Sequence, residues 1–237
     1  IGVVATLVAV GLGVLMGGWA SANKFSLIGG VRAAAQLIAY ELPLILAAAA
    51  VAVQAESLSL VDIVTAQATF ELAGSSFNLW FVFPQLLGFG LFFLASMAEL
   101  SRPPFDMPIA DSELVFGYMT EYTGIKFAMY LLTEYAGMVS MSALMVVLYL
   151  GGWQILPGVG LPGCSGAGGI FDCGALGIVI GFGVTLAKIL LLTFVMVWAR
   201  VSYPRLREDQ LQKMSWLVFI PLALVNLAVV AIGKVVL

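Results

Sequence analysis

The chain has no histidine, only two cysteines and few charges, which make up 10% of its 237 residues. Each shortage excludes a class of chemistry. Without His there is no imidazole ligand for zinc or haem and no Ser-His-Asp triad. The two cysteines, Cys164 and Cys173, fall short of the four ligands that an iron–sulfur cluster normally takes. No metal site and no redox centre are therefore expected on the chain itself. Ten Lys and Arg against thirteen Asp and Glu give a net charge of −3, which is no footprint for nucleic acid. What the chain has is apolar surface, with 62% hydrophobic residues and a mean hydropathy of +1.09. A soluble domain is about 45–50% apolar and about 25% charged, so a water-soluble fold is excluded.

Windows of roughly 17–25 apolar residues cross a bilayer. They fall near 1–18, 33–53, 80–100, 126–150, 177–199 and 216–233. Their charges are too few for surface helices, and none alternates like a barrel strand. The expectation is an all-α integral membrane protein, one membrane domain over 1–237, with six transmembrane helices and a structured loop between the third and fourth. Loops 19–32, 100–126 and 199–215 carry Lys24, Arg32, Arg102, Lys126, Arg200, Arg205, Arg207 and Lys213, whereas 54–79 and 151–176 carry no Lys or Arg. The positive-inside rule puts the first set in the cytoplasm and both termini of this stretch on the outer side. The outer loop 151–176 holds Cys164 and Cys173, which an oxidising compartment would allow to pair; two free thiols are the alternative. Gly11, Gly13 and Gly17 imitate a phosphate-binding run, but they lie in a membrane span with no strand before them. Close helix packing accounts for them better.

The informative residues are ionisable groups in or beside the membrane, since each costs about 2.5–3.5 kcal/mol on insertion scales. Glu41 lies roughly 12 Å into the second span, at 1.5 Å per residue, and is followed by Pro43, whose ring frees a backbone carbonyl that needs another donor. Glu134 is as deep in the fourth span, and Lys188 is near the middle of the fifth. Between the third and fourth spans come Glu99, Asp106, Asp111, Glu113 and Glu121 with Arg102 and Lys126, in a segment that Pro103, Pro104 and Pro108 keep from being helical. Crowded carboxylates cannot all ionise in a low dielectric, so such a group can hold and pass protons. Arg102 is expected between Glu99 and Asp106, its fork holding carboxylates that otherwise repel. A solvated acidic loop is the plain alternative; the deep charges favour a proton or cation path.

At these residues the chain resembles a known family. The matching stretches are Gly18-Trp-Ala-Ser-Ala-Asn-Lys-Phe-Ser-Leu27, Arg32 to Gln36, Tyr40-Glu-Leu-Pro-Leu44, the block from Ala98 to Tyr135, and Pro204-Arg-Leu-Arg207 with Asp209-Gln-Leu211 and Trp216. They are similar to the heel subunit of respiratory complex I, the NADH:quinone oxidoreductase. Members have eight membrane helices, and this chain looks like the last six. Two departures stand out: Ile109 replaces a family carboxylate with Asp111 shortening the next, and Leu217 stands where a Lys is often found. The resemblance implies a subunit without its own redox centre that forms the membrane side of a quinone chamber and couples quinone reduction to proton translocation. Quinone would be the substrate, with NADH, FMN and iron–sulfur clusters on partner subunits. Partners would be the hydrophilic quinone-site subunits and the small membrane subunits beside the antiporter-like ones, in a bacterial inner membrane or an organelle equivalent. It assigns the coupling relay to Glu41, Glu99, Asp106, Asp111, Glu113, Glu121 and Glu134, with Arg32, Arg102 and Lys126 near the chamber. The competing readings are the anchor subunit of a related membrane-bound hydrogenase, and an autonomous ion transporter, which inverted repeats would support.

Overall fold

Long apolar runs with few breakers make helices, and the computed structural model, which describes residues 2–68, 70–72, 75–77, 79–109, 114–155 and 175–236, is built from them. Helix α1 spans Gly2–Ala20, α2 Lys24–Ala55 and α3 Leu60–Ala68. A short antiparallel hairpin follows, β1 (Phe70–Leu72) with β2 (Ser75–Phe77), Phe70 opposite Phe77. Then come α4 (Leu86–Glu99), α5 (Ile125–Tyr149), α6 (Ala175–Ser202) and α7 (Glu208–Met214). A π-helical turn over Ser215–Phe219 joins α7 to α8 (Ile220–Val236). The widened turn comes just before Pro221, which lacks the N–H an α-helix would use.

Among the described residues, four helical stretches are long and apolar enough to cross a membrane: Lys24–Ala55, Ile125–Tyr149, Gly177–Ser202 and Glu208–Lys234. Apolar stretches at Gly11–Ala20 and Leu86–Glu99 are shorter. The expected third window is cut because residues 81–85, with Pro84 among them, form turns before α4 begins. The expected loop 19–32 is mostly helix, since α2 already starts at Lys24. Hydropathy marks only the apolar part of a helix, and Arg, Gln and Ala prolong it past that part at little cost.

The chain divides into two compact units. The first comprises Ile1–Ile45, Leu94–Met138 and Met196–Pro221; the second comprises Leu46–Phe93, Val139–Val195 and Leu222–Leu237. In the first unit, Pro43 lies inside α2 and cannot donate to the carbonyl of Ala39; the hydroxyl of Ser215 donates to it instead, at 2.5 Å. Beside it the fully buried Tyr40 packs against Phe105 and Phe219, with ring centroids 5.8 and 5.7 Å away, and its hydroxyl donates to Leu211 O at 2.9 Å. In the second unit the buried Tyr149 packs on Phe89 and Phe92 and donates to Ala47 O at 3.1 Å. There Gln67 Nε2 donates to Val147 O and Leu148 O, and Gln154 Nε2 to Val64 O. In apolar surroundings an unmet backbone group costs several kcal/mol, so these side chains stand in for missing backbone partners.

Candidate functional site

The site grows from the end of α4. Ser101 turns the chain with φ +49°, and Pro103 and Pro104 stop the helix from resuming. Gln36 of α2 ties both ends of this turn together, its Nε2 donating to Ala98 O at 2.6 Å and to Phe105 O at 2.7 Å. Between these anchors Arg102 is held almost wholly buried, 4% exposed. Its Nε lies 3.1 Å from Glu134 Oε1, and its guanidinium lies over the Tyr135 ring, 4.6 Å from the centroid. The ion-pair partner was expected within the same loop, at Glu99 or Asp106; it is instead Glu134, from α5. Consecutive residues on α5 thus offer a carboxylate and a ring to one guanidinium, a combination Lys could not match.

Glu99, 8% exposed, is the next group. Its Oε2 has no hydrogen-bond partner among the described residues, and the Glu41 carboxylate interacts with it electrostatically. Glu99 and Glu134 share the wall of a cavity of about 310 Å³ with Tyr118, Tyr130, Thr133 and Leu37. Ile109 also lines it, so the substituted position contributes an apolar side chain to the wall. Asp106 interacts electrostatically with both Glu134 and Tyr118. Burial pushes the Tyr118 phenol well above the usual tyrosine range, reinforced by Glu134, Tyr130 and Asp106 and opposed by Arg102, so it stays protonated at physiological pH. Its ring lies 5.6 Å from Tyr130, which in turn lies 5.2 Å from Tyr122. Tyr122 donates to Gly17 O at 3.0 Å. A Cβ on Gly17 would stand 2.5 Å from the Tyr130 hydroxyl, so only glycine lets that ring seat against α1.

The arrangement is a cavity with buried carboxylates, one paired to a fixed cation and one with an oxygen to spare. The sequence profile of the NADH dehydrogenase family matches residues 1–231. The chain belongs to the NADH dehydrogenase family. Among its relatives, a membrane-complex protein named as a subunit of NADH-quinone oxidoreductase in Geobacillus thermodenitrificans (strain NG80-2) is 43% identical over 224 residues, which are 94% of this chain and 59% of that protein. The proteins of the same name from Geobacillus kaustophilus (strain HTA426) and Bacillus thuringiensis (strain Al Hakam) are 42% and 41% identical over the same 94% and 59%. The chain thus spans 59% of the length of these curated relatives. Its family and its apolar helices make it an integral membrane protein.

In this NADH dehydrogenase family chain the anticipated residues divide into a gathered group and a dispersed one. Glu99, Arg102 and Glu134 come together, with Glu41 and Asp106 in electrostatic reach. Glu121 is exposed and accepts a hydrogen bond from Asn23 Nδ2 at 2.6 Å. Lys126 is exposed near the start of α5, and Arg32 pairs with the exposed Glu208 at 3.1 Å. Asp111, Glu113, Cys164 and Cys173 lie outside the described residues. No group of three or more potential metal ligands occurs among those described. Sequence reasoning overlooked Tyr118 and Tyr130 as cavity walls and Gln36 as the loop's tie. A lone Gln in an apolar window is a readable signal that a backbone carbonyl needs a donor. The tyrosines are not legible as a group, because Gly124, with φ +61°, breaks the helical register between Tyr122 and Tyr130.

Proposed function

We propose that this chain is the quinone-chamber and proton-coupling part of an NADH–quinone oxidoreductase membrane subunit. The observation that carries the reading is the buried Arg102–Glu134 pair beside Glu99 on one cavity wall. Arg102 stabilises a charged Glu134, while the unpartnered oxygen of Glu99 is left to accept or give a proton. Glu41 and Asp106 feel the same field, and a change of charge at one carboxyl therefore shifts the others. Glu121, at the surface, would be the outermost member of the relay, with Asp111 and Glu113 as further members and Arg32 and Lys126 at the chamber's basic rim.

The substrate is a quinone, and the electrons reach it from NADH through FMN and iron–sulfur clusters on partner subunits. Those partners are hydrophilic quinone-site subunits on the cytoplasmic side and membrane subunits alongside. The six apolar stretches all cross the bilayer as one membrane domain, with the basic loops in the cytoplasm. The name shared by the relatives and the cavity's carboxylate lining support this reading.

The test is Arg102→Lys in the assembled complex. Charge is kept but the fork and the stacking on Tyr135 are lost, so quinone turnover should fall while electron delivery to an artificial acceptor persists. Unchanged quinone turnover in a fully assembled variant would overturn the proposed role of the pair.

A further inference from the structure

The second unit contains a buried cation of a different kind. Helix α5 ends at Tyr149, and the last carbonyls of a helix have no intrahelical donor. Gly151 and Gly152 then take φ +70° and +50°, and the N–H of Gly152 turns back to Val146 O at 3.0 Å. The turn brings the carbonyl oxygens of Leu150, Gly152 and Gln154 around one point. Lys188 Nζ occupies that point, at 2.6, 3.1 and 2.5 Å from the three oxygens. An alkylammonium has three N–H donors and no acceptor, so the match is complete. The Trp80 ring closes the site, its centroid 4.3 Å from Nζ. A Cβ on Gly151 would stand 2.7 Å from Trp80 Cδ1, so the glycine makes room for the ring as well as for the turn. The negative end of the α5 dipole adds to the attraction.

We propose that the 150–154 turn and the face of Trp80 form a recognition site for a primary alkylammonium ion, filled in this chain by its own Lys188. The site selects by counting hydrogens: three carbonyls need three donors, and the ring needs a positive charge. Lys188 is on this account a fixed structural cation, since no acceptor around it can take its proton and return it.

The site can be emptied and refilled. Lys188→Ala removes three carbons and the ammonium, a fragment equal in size to propylammonium. In the purified complex carrying Lys188→Ala, the thermal unfolding midpoint should fall below wild type and rise again, saturably, with added propylammonium. Wild type should not respond. Tetramethylammonium keeps the charge but has no N–H, so about tenfold more or greater should be needed for the same shift. Adding Trp80→Leu to Lys188→Ala should weaken the propylammonium response. If Lys188→Ala does not accumulate, cells grown with propylammonium should accumulate it. A midpoint equal to wild type, equal rescue by both ions, or no rescue in protein or cells would overturn the proposal.

Discussion

In the first unit a buried guanidinium, Arg102, faces a carboxylate and an aromatic ring; in the second a lysine ammonium, Lys188, faces three backbone carbonyls and an aromatic ring. Both solutions make a cation tolerable where water is scarce. They differ in what the partners can do afterwards. A carbonyl has one charge state, so the Lys188 cluster can only hold. A carboxylate has two, so the Arg102 cluster can hold and also change. The first unit adds Glu99 with an unpartnered oxygen on a cavity wall, whereas among the described residues the second unit has no buried carboxylate. Function that depends on moving charge therefore belongs to the first unit.

Removing the fixed cation of the first unit should have the largest effect. Arg102→Ala leaves Glu134 buried without its partner, a change that typically costs about 3–5 kcal/mol, so assembled complex should be largely lost on native gels. Adding Glu134→Gln should restore much of the assembly, because the uncompensated charge is gone; failure to restore it would show that the loop needs Arg102 for packing alone. A matched pair comes next. Gln36→Leu and Gln67→Leu each strip a donor from two backbone carbonyls, at about 1–3 kcal/mol per buried group left unmet. Thermal midpoints should drop to a similar extent in both, but only Gln36→Leu, which frees the Arg102 loop, should also reduce quinone turnover. Equal turnover losses would erase the distinction between the units. The smallest effect is expected at Glu121→Gln: Glu121 is exposed, water can replace its protonation, and turnover should stay close to wild type.

The sequence made some of this legible and hid the rest for identifiable reasons. Pro43 announces an orphaned carbonyl four residues earlier, and Ser215 does supply the missing donor to Ala39 O. The prolines after Arg102 announce a helix stop, which the chain makes there. The partner of Arg102 was hidden because ion pairing was read along the chain, at three and four residues, while packing brought Glu134 from another helix. The surroundings of Lys188 were hidden more deeply. Its partners are backbone oxygens in a glycine turn, and a backbone oxygen leaves no mark on residue type. The start of α2 at Lys24 was obscured because charged and small residues prolong a helix without raising its hydropathy.

The central claim is that the carboxylates around the first unit's cavity transmit charge and do not merely fill space. Glu134→Gln tests it most directly, since the amide is nearly the same shape but cannot ionise. The variant complex, reconstituted in proteoliposomes, should assemble and deliver electrons to an artificial acceptor normally. Its quinone turnover and its proton translocation should both fall, together and to the same degree. Wild-type quinone turnover with wild-type translocation in the assembled Glu134→Gln complex would contradict the claim and leave Glu134 a structural partner of Arg102.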